Sequence, residues 1–167
     1  MPVYRLSTMD FKTNHMKKPL LNNLSLLIIY FLVSTVFTVS AQDVSGTWEG
    51  IITQEKGGIL GEYTFKIFIK VDEDGNAKGT AYVKAGELDI YAIMGFKGKF
   101  DGEYMDLEED EILREKRVDD IFWCLKDYRL QLLSAGTLRL EGKWSGYTST
   151  GACIPGKIYL KKSAPRV

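Results

Sequence analysis

Histidine is almost missing from this chain of 167 residues: the single one, His15, precedes the part that reads as a folded domain. A domain without histidine has no Ser-His-Asp relay, no Cys-His nucleophile and no imidazole-ligated metal. Cysteine is nearly as scarce, with Cys124 and Cys153 alone, too few to hold zinc without other ligands. Long helical periodicity is lacking too. The apolar run Leu24 to Val36 is interrupted and short of the about 20 residues a membrane helix requires. These absences set the expectations that the protein is not an enzyme, has no catalytic or metal residues, carries no cofactor and has no membrane span in its mature part.

That apolar run has a different meaning. Met16 opens "MKKPLLNNLSLLIIYFLVSTVFTVSAQ", with Lys17 and Lys18 ahead of the run and Val39-Ser40-Ala41 behind it. A basic start, an apolar middle and a small-residue exit compose a secretory signal. Residues 1–41 are therefore expected to be removed near Ala41-Gln42, with Met16 as the true start. A retained N-terminal anchor is the alternative. No cysteine follows the cleavage point, which argues against a lipid anchor. The expected location is secreted or periplasmic, where two cysteines favour a Cys124–Cys153 disulfide over free thiols.

Residues 42–167 have the length of a single domain. From Gln42 onward there are 18 Lys and Arg against 21 Asp and Glu, a net charge near −3. A nucleic-acid binder would carry a basic excess, so nucleic acid is not an expected partner.

Strict alternation dominates this part. "YTFKIFIKV" sets Tyr63, Phe65, Ile67, Ile69 and Val71 on one face, and "TLRLEGKWS" does the same with Leu138, Leu140, Gly142 and Trp144. Period two marks half-buried strands, and eight are expected: 44–54, 62–72, 76–84, 90–100, 103–111, 121–133, 137–147 and 156–162. Turn chemistry fixes three registers. Asp101-Gly102 suits a two-residue hairpin setting Phe96 against Leu107 and Gly98 against Met105. Glu73-Asp74-Gly75, a three-residue loop, sets Ile69 against Gly79 and Phe65 against Val83. Ser134-Ala135-Gly136 sets Leu130 against Leu140 and Tyr128 against Gly142. Eight antiparallel strands with one apolar face close into an all-β, up-and-down barrel, which leaves no open edge. A two-layer β-sandwich is the alternative.

Meander topology gathers the three tight turns at one end and the longer connections (55–61, 85–89, 112–120, 148–155) at the other. Binding belongs to the looped end. Tyr63, Phe65, Ala92, Met94, Phe122 and Trp144 are expected on the inner face towards that mouth. Glu109 has two readings: inward opposite Met94, or in water at a frayed strand end, as a charge run such as "EEDEILREKRVDD" ordinarily favours. Glycines bracket an aromatic three times, in "SGTWEG", "KGKFDG" and "EGKWSG". Gly46, Trp48, Gly98, Phe100 and Gly142 form the resulting structural motif, in which the glycines are expected to leave room for the rings.

Gly46-Thr47-Trp48 on the first strand resembles the Gly-x-Trp signature of lipocalins and the wider calycin group, and Trp144-Ser145-Gly146 is similar to a late motif of the avidins. The resemblance implies a barrel whose first Trp packs at the closed end under a cation from the last strand, which here offers Lys157, Lys161 and Lys162. Glu49-Gly50-Ile51 stands where avidins supply polar biotin contacts, so biotin binding is not implied. Three functions are expected in order. The first is a non-catalytic barrel holding a small apolar or amphipathic ligand at its looped end. The second is a protein-interaction or envelope-associated module with a filled barrel. The last is a carboxylate-based hydrolase.

Expression from Met16 with the native leader should export the protein, and N-terminal sequencing of the product should begin at Gln42. A product that keeps Met16 and stays with the membrane would identify the retained anchor.

Overall fold

The computed structural model describes residues 44–86, 88–118, 121–134 and 136–164. The expected signal segment, its cleavage point and Met16 lie outside the described residues. The strands are β1 (Gly46–Thr53), β2 (Glu62–Val71), β3 (Asn76–Ala85), β4 (Ile90–Phe100), β5 (Tyr104–Lys116), β6 (Leu125–Leu133), β7 (Arg139–Thr148), β8 (Gly151–Ala152) and β9 (Gly156–Lys162). Each of the first seven pairs antiparallel with its successor, and β9 joins β7 to β1. Eight strands thus close a barrel, and the sandwich alternative is overturned because the first and last strands pair. The two-residue β8 is an addition, folding back on Tyr147 and Thr148. Among the described residues no helix is long and apolar enough to cross a membrane.

Alternation decides what enters the interior. Trp48, Phe65, Ile69, Ala81, Met94, Met105, Leu130, Leu140 and Ile158 are all fully buried, one or more from each long strand. The small residues of β3 make room for rings from its neighbours: Gly79 lies opposite Phe96, and a Cβ there would sit 2.7 Å from the Phe96 ring. Phe65 meets Tyr128 edge-on across the barrel at 5.8 Å between ring centres.

One of the three expected registers is found as read, and two are shifted by two residues. The β2–β3 hairpin pairs Ile69 with Gly79 and Phe65 with Val83. Asp72 Oδ1 accepts from the amides of Asp74 (3.0 Å) and Asn76 (2.9 Å), and Gly75 takes a φ of 78° that its lack of Cβ permits. The β4–β5 hairpin instead pairs Phe100 with Met105, Gly98 with Leu107 and Phe96 with Glu109. Asp101 N donates to Tyr104 O at 3.1 Å and Asp101 Oδ1 accepts from Glu103 N and Tyr104 N, so the tight turn sits at Gly102-Glu103, one residue later than expected. Between β6 and β7, Leu130 meets Gly142 and Leu132 meets Leu140. Leu138 O accepts from Lys162 N, continuing the β7–β9 ladder past Arg139. A shift of two keeps every side chain on its face, so the core survives while its cross-strand neighbours change.

The motif glycines do something other than make room for rings. A Cβ at Gly98 would lie 1.9 Å from Asp106 O, and one at Gly142 would lie 2.0 Å from Arg129 O. Adjacent strands coil tightly over these points, as barrel closure demands. Gly46 begins β1 at a φ of 124°. Trp48 is fully buried with Nε1 donating to Val44 O at 2.9 Å, and Phe100 is buried beside the Gly75 turn, its amide donating to Gly75 O at 2.8 Å. Both therefore pack near the tight-turn end.

Gly98→Ala should destabilise the fold by roughly 1–3 kcal/mol or more, because a methyl there meets backbone and not a movable side chain. Urea unfolding measures this, and Gly102→Ala reads the separate cost of a side chain at positive φ where open space surrounds the Cβ.

Candidate functional site

Strand six was expected from residue 121, and strand five to residue 111. β6 in fact begins at Leu125 and β5 continues to Lys116. Pairing between them stops at Glu108 and Asp127. Above that point β5 pairs only with β4 among the described residues, through two irregularities in register between Ile93 and Met94 and between Gly95 and Phe96. The wall is therefore incomplete at the looped end, and the connection into β6 crosses the gap.

Glu109 sits where the two strands part. It points inward, 1 % exposed, opposite Phe96 and not Met94, and the reading that left it in water is overturned. Its carboxylate substitutes for the missing backbone ladder: Oε2 accepts from Lys126 N at 3.0 Å and from Lys126 Nζ at 2.8 Å, and Oε1 accepts from the Tyr128 hydroxyl. Lys126 Nζ also donates to Cys124 O at 2.9 Å and lies beside Met94 Sδ. Burial pushes the Glu109 carboxyl above its ordinary range, and Lys126 opposes the shift without cancelling it. Lys126 itself is 4 % exposed. Sequence reasoning missed it, although Lys126 shares the inward parity of Tyr128, Leu130 and Leu132. An inward lysine beside an inward glutamate was a readable pair.

The other expected mouth residues divide into two groups. Phe65, Ala92 and Met94 are fully buried and belong to the core beneath the mouth. Tyr63, Phe122 and Trp144 come together around a cleft of about 80 Å³, with Lys126 at its lining. Tyr63 donates to Gln54 Oε1 at 2.7 Å and accepts from Leu60 N at 3.3 Å; burial raises its hydroxyl pKa. Trp144 Nε1 donates to Thr53 O at 2.8 Å, tying β7 to the end of β1. Phe122 is 46 % exposed under the Arg117 guanidinium, 4.9 Å from its ring centre. Ile59 and Leu88, from two other connections, complete an exposed apolar rim.

Cys124 and Cys153 form the expected disulfide, with a sequence separation of 29. It pins the entry to β6 against the β8 turn at the looped end. Closing a loop of this length is worth about 3–4 kcal/mol in the chain-entropy account. Trp123, next to it, holds the one buried side-chain nitrogen without a hydrogen-bond partner among the described residues, Nε1.

Elsewhere, a broad open depression of about 1110 Å³ lies on the outer wall. Lys70, Lys78 and Lys97 occupy successive cross-strand positions there, followed by Glu108 and Asp127. Charges of both signs in open solvent make this a solvated face. Among the described residues no group of three His, Cys, Asp or Glu side chains is placed to hold a metal.

Lys126→Met should cost about 3–5 kcal/mol at neutral pH, because it strands a buried carboxylate. The folded state binds the Glu109 proton more tightly than the unfolded chain. This group therefore favours folding below the ordinary carboxylate range, and that contribution is lost as pH rises through the raised value. The deficit of Lys126→Met should accordingly shrink on acidification, and Glu109→Gln with Lys126→Met should recover most of it. Denaturant midpoints across pH measure both.

No family model matches this chain, and no curated protein resembles it closely enough to count as a relative.

Proposed function

We propose that this protein is an exported, non-catalytic binding barrel of calycin type, acting as a protein-interaction or envelope-associated module that grips an apolar group of its partner at the looped end. The observation that carries this reading is the contrast between a filled interior and a small apolar cleft with an exposed rim. A cleft of about 80 Å³ accepts one side chain or the end of an acyl chain. Sites that enclose whole small ligands run to about 300–1,000 Å³. Ile59, Leu88 and Phe122 stand around it 59, 41 and 46 % exposed, a concentration of apolar surface at one end of the barrel.

The calycin likeness is supported at the closed end, where Lys162 Nζ of the last strand lies 6.0 Å from the centre of the buried Trp48 ring. The Cys124–Cys153 bridge is compatible with an oxidising compartment. A small apolar or amphipathic ligand is the second reading, favoured by the Tyr63, Trp144 and Lys126 lining, which would offer rings and one cation to such a molecule. The carboxylate-hydrolase reading draws no support from Glu109, whose oxygens are engaged by Lys126 and Tyr128.

Native mass spectrometry of the exported protein should find it free of any small molecule. A photoreactive residue in place of Phe122 should yield one discrete cross-linked protein partner, lost when Ile59→Asp or Leu88→Asp makes the rim polar. A small molecule released at near stoichiometry on denaturation would overturn the interaction reading in favour of the second.

A further inference from the structure

We propose that the Cys124–Cys153 disulfide is a redox latch on the looped-end cleft, opened by a dithiol reductant. Once it is cut, the strip 121–124 swings away and leaves a pocket for a small amphipathic molecule. The inference rests on the reading of the looped end as the binding end.

The strip is a partition between two spaces. Phe122 and Trp123 line both the apolar cleft of about 80 Å³ and a groove of about 340 Å³ bordered by Ile112, Leu125 and Tyr147. Its ties to the barrel are few. Among the described residues no strand pairs with it. Ile121 N donates to Val118 O at 3.3 Å, within the same connection, and Cys124 O accepts from Lys126 Nζ at 2.9 Å.

The other cysteine is anchored. Cys153 N donates to Gly146 O at 2.9 Å, and Glu55 N donates to Pro155 O at 2.8 Å. These bonds fix 153–155 to β7 and to the chain leaving β1, beside Ile52 and Gln54 of the facing cleft wall. The disulfide therefore joins a firmly held segment to a loosely held one, and cutting it frees the strip.

Neither cysteine belongs to the ladders that close the barrel. β6 pairs with β7 from Leu125 and with β5 from Asp127, and β9 begins at Gly156. Both cysteines are partly exposed, so a thiolate can attack the bond. Reduction takes two electrons and two protons from the dithiol, breaks the S–S bond and leaves two cysteine thiols. The reductant closes to its own disulfide.

With the strip displaced, cleft and groove join. The joined space falls in the range of about 300–1,000 Å³ of sites that enclose a small ligand. Departure of Cys124 O also takes one acceptor from the Lys126 ammonium. A buried donor without an acceptor favours a ligand that brings one. The ligand class is therefore an apolar body with an anionic or carbonyl head.

Fluorine NMR of the exported protein carrying 5-fluorotryptophan reads Trp48, Trp123 and Trp144, assigned from Trp123→Phe and Trp144→Phe variants. Excess dithiothreitol should move the Trp123 signal towards that of a solvated indole and leave Trp48, at the closed end, in place. Cys124→Ser with Cys153→Ser should give the same spectrum without reductant. The anionic dye 1-anilinonaphthalene-8-sulfonate should bind the reduced protein roughly tenfold or more tighter than the oxidised one, through the apolar surface uncovered. Loss of the folded Trp48 signal on reduction overturns the proposal, since the bond would then be holding the barrel itself. So does a Trp123 signal that reduction leaves unmoved, or equal dye affinity in the two states. Neither measurement involves a protein partner, so a failed cross-link at Phe122 and a failed latch are separate results.

Discussion

Closure of the barrel is the constraint on which the other features depend. Once β9 pairs with both β7 and β1, every inward residue of eight strands must share one enclosed volume. Trp48, Phe65, Phe96, Tyr128 and Trp144 all enter it and are nearly or fully buried. Fitting them requires strands to coil closely past one another, and the contacts that result at Gly98 and Gly142 tolerate no side-chain carbon. The same filling explains why the mouth is a shallow cleft. Large rings placed inward take up much of the enclosed space.

Where the closure weakens, chemistry replaces geometry. The β5–β6 ladder ends at Glu108, and the next inward residue is a carboxylate that accepts the amide and the ammonium of Lys126. A buried charge pair is costly to desolvate and is held only when its hydrogen bonds are filled. Here they are filled, with Tyr128 and Cys124 O supplying the remaining partners. The network fixes where β6 may begin, and so fixes the size of the gap above it. The disulfide then holds the chain that crosses that gap against the β8 turn.

Two surfaces follow from that gap. Towards the barrel axis lies the apolar cleft under Tyr63, Trp144 and Phe122; along the wall lies the bare edge of β5 with its groove. Both are made by residues around a strand that starts late. Phe122 borders both.

Much of this was legible beforehand. Alternation and turn residues gave the all-β class, the eight long strands, the closed and looped ends and the inward faces, because a period of two is imposed by local backbone geometry. The cysteine count and the looped-end placement led to the Cys124–Cys153 pairing. Three features were not legible. The hairpin after β4 turns one residue later than read, held by Asp101 on Tyr104 and by Leu132, distant in sequence, on the Glu103 carbonyl. Phe65, Ala92 and Met94 proved to be core and not mouth, since depth along a barrel depends on how all eight strands stagger. Glu109 went inward rather than into water, although the charge run around it reads as surface.

The sequence by itself determined which face each strand buries, through an alternation that every residue carries locally. Tertiary structure alone decided how full the interior is, where β6 begins and which edge of β5 stays bare. Those outcomes depend on partners from strands far apart in the chain, and on whether a buried carboxylate finds its lysine.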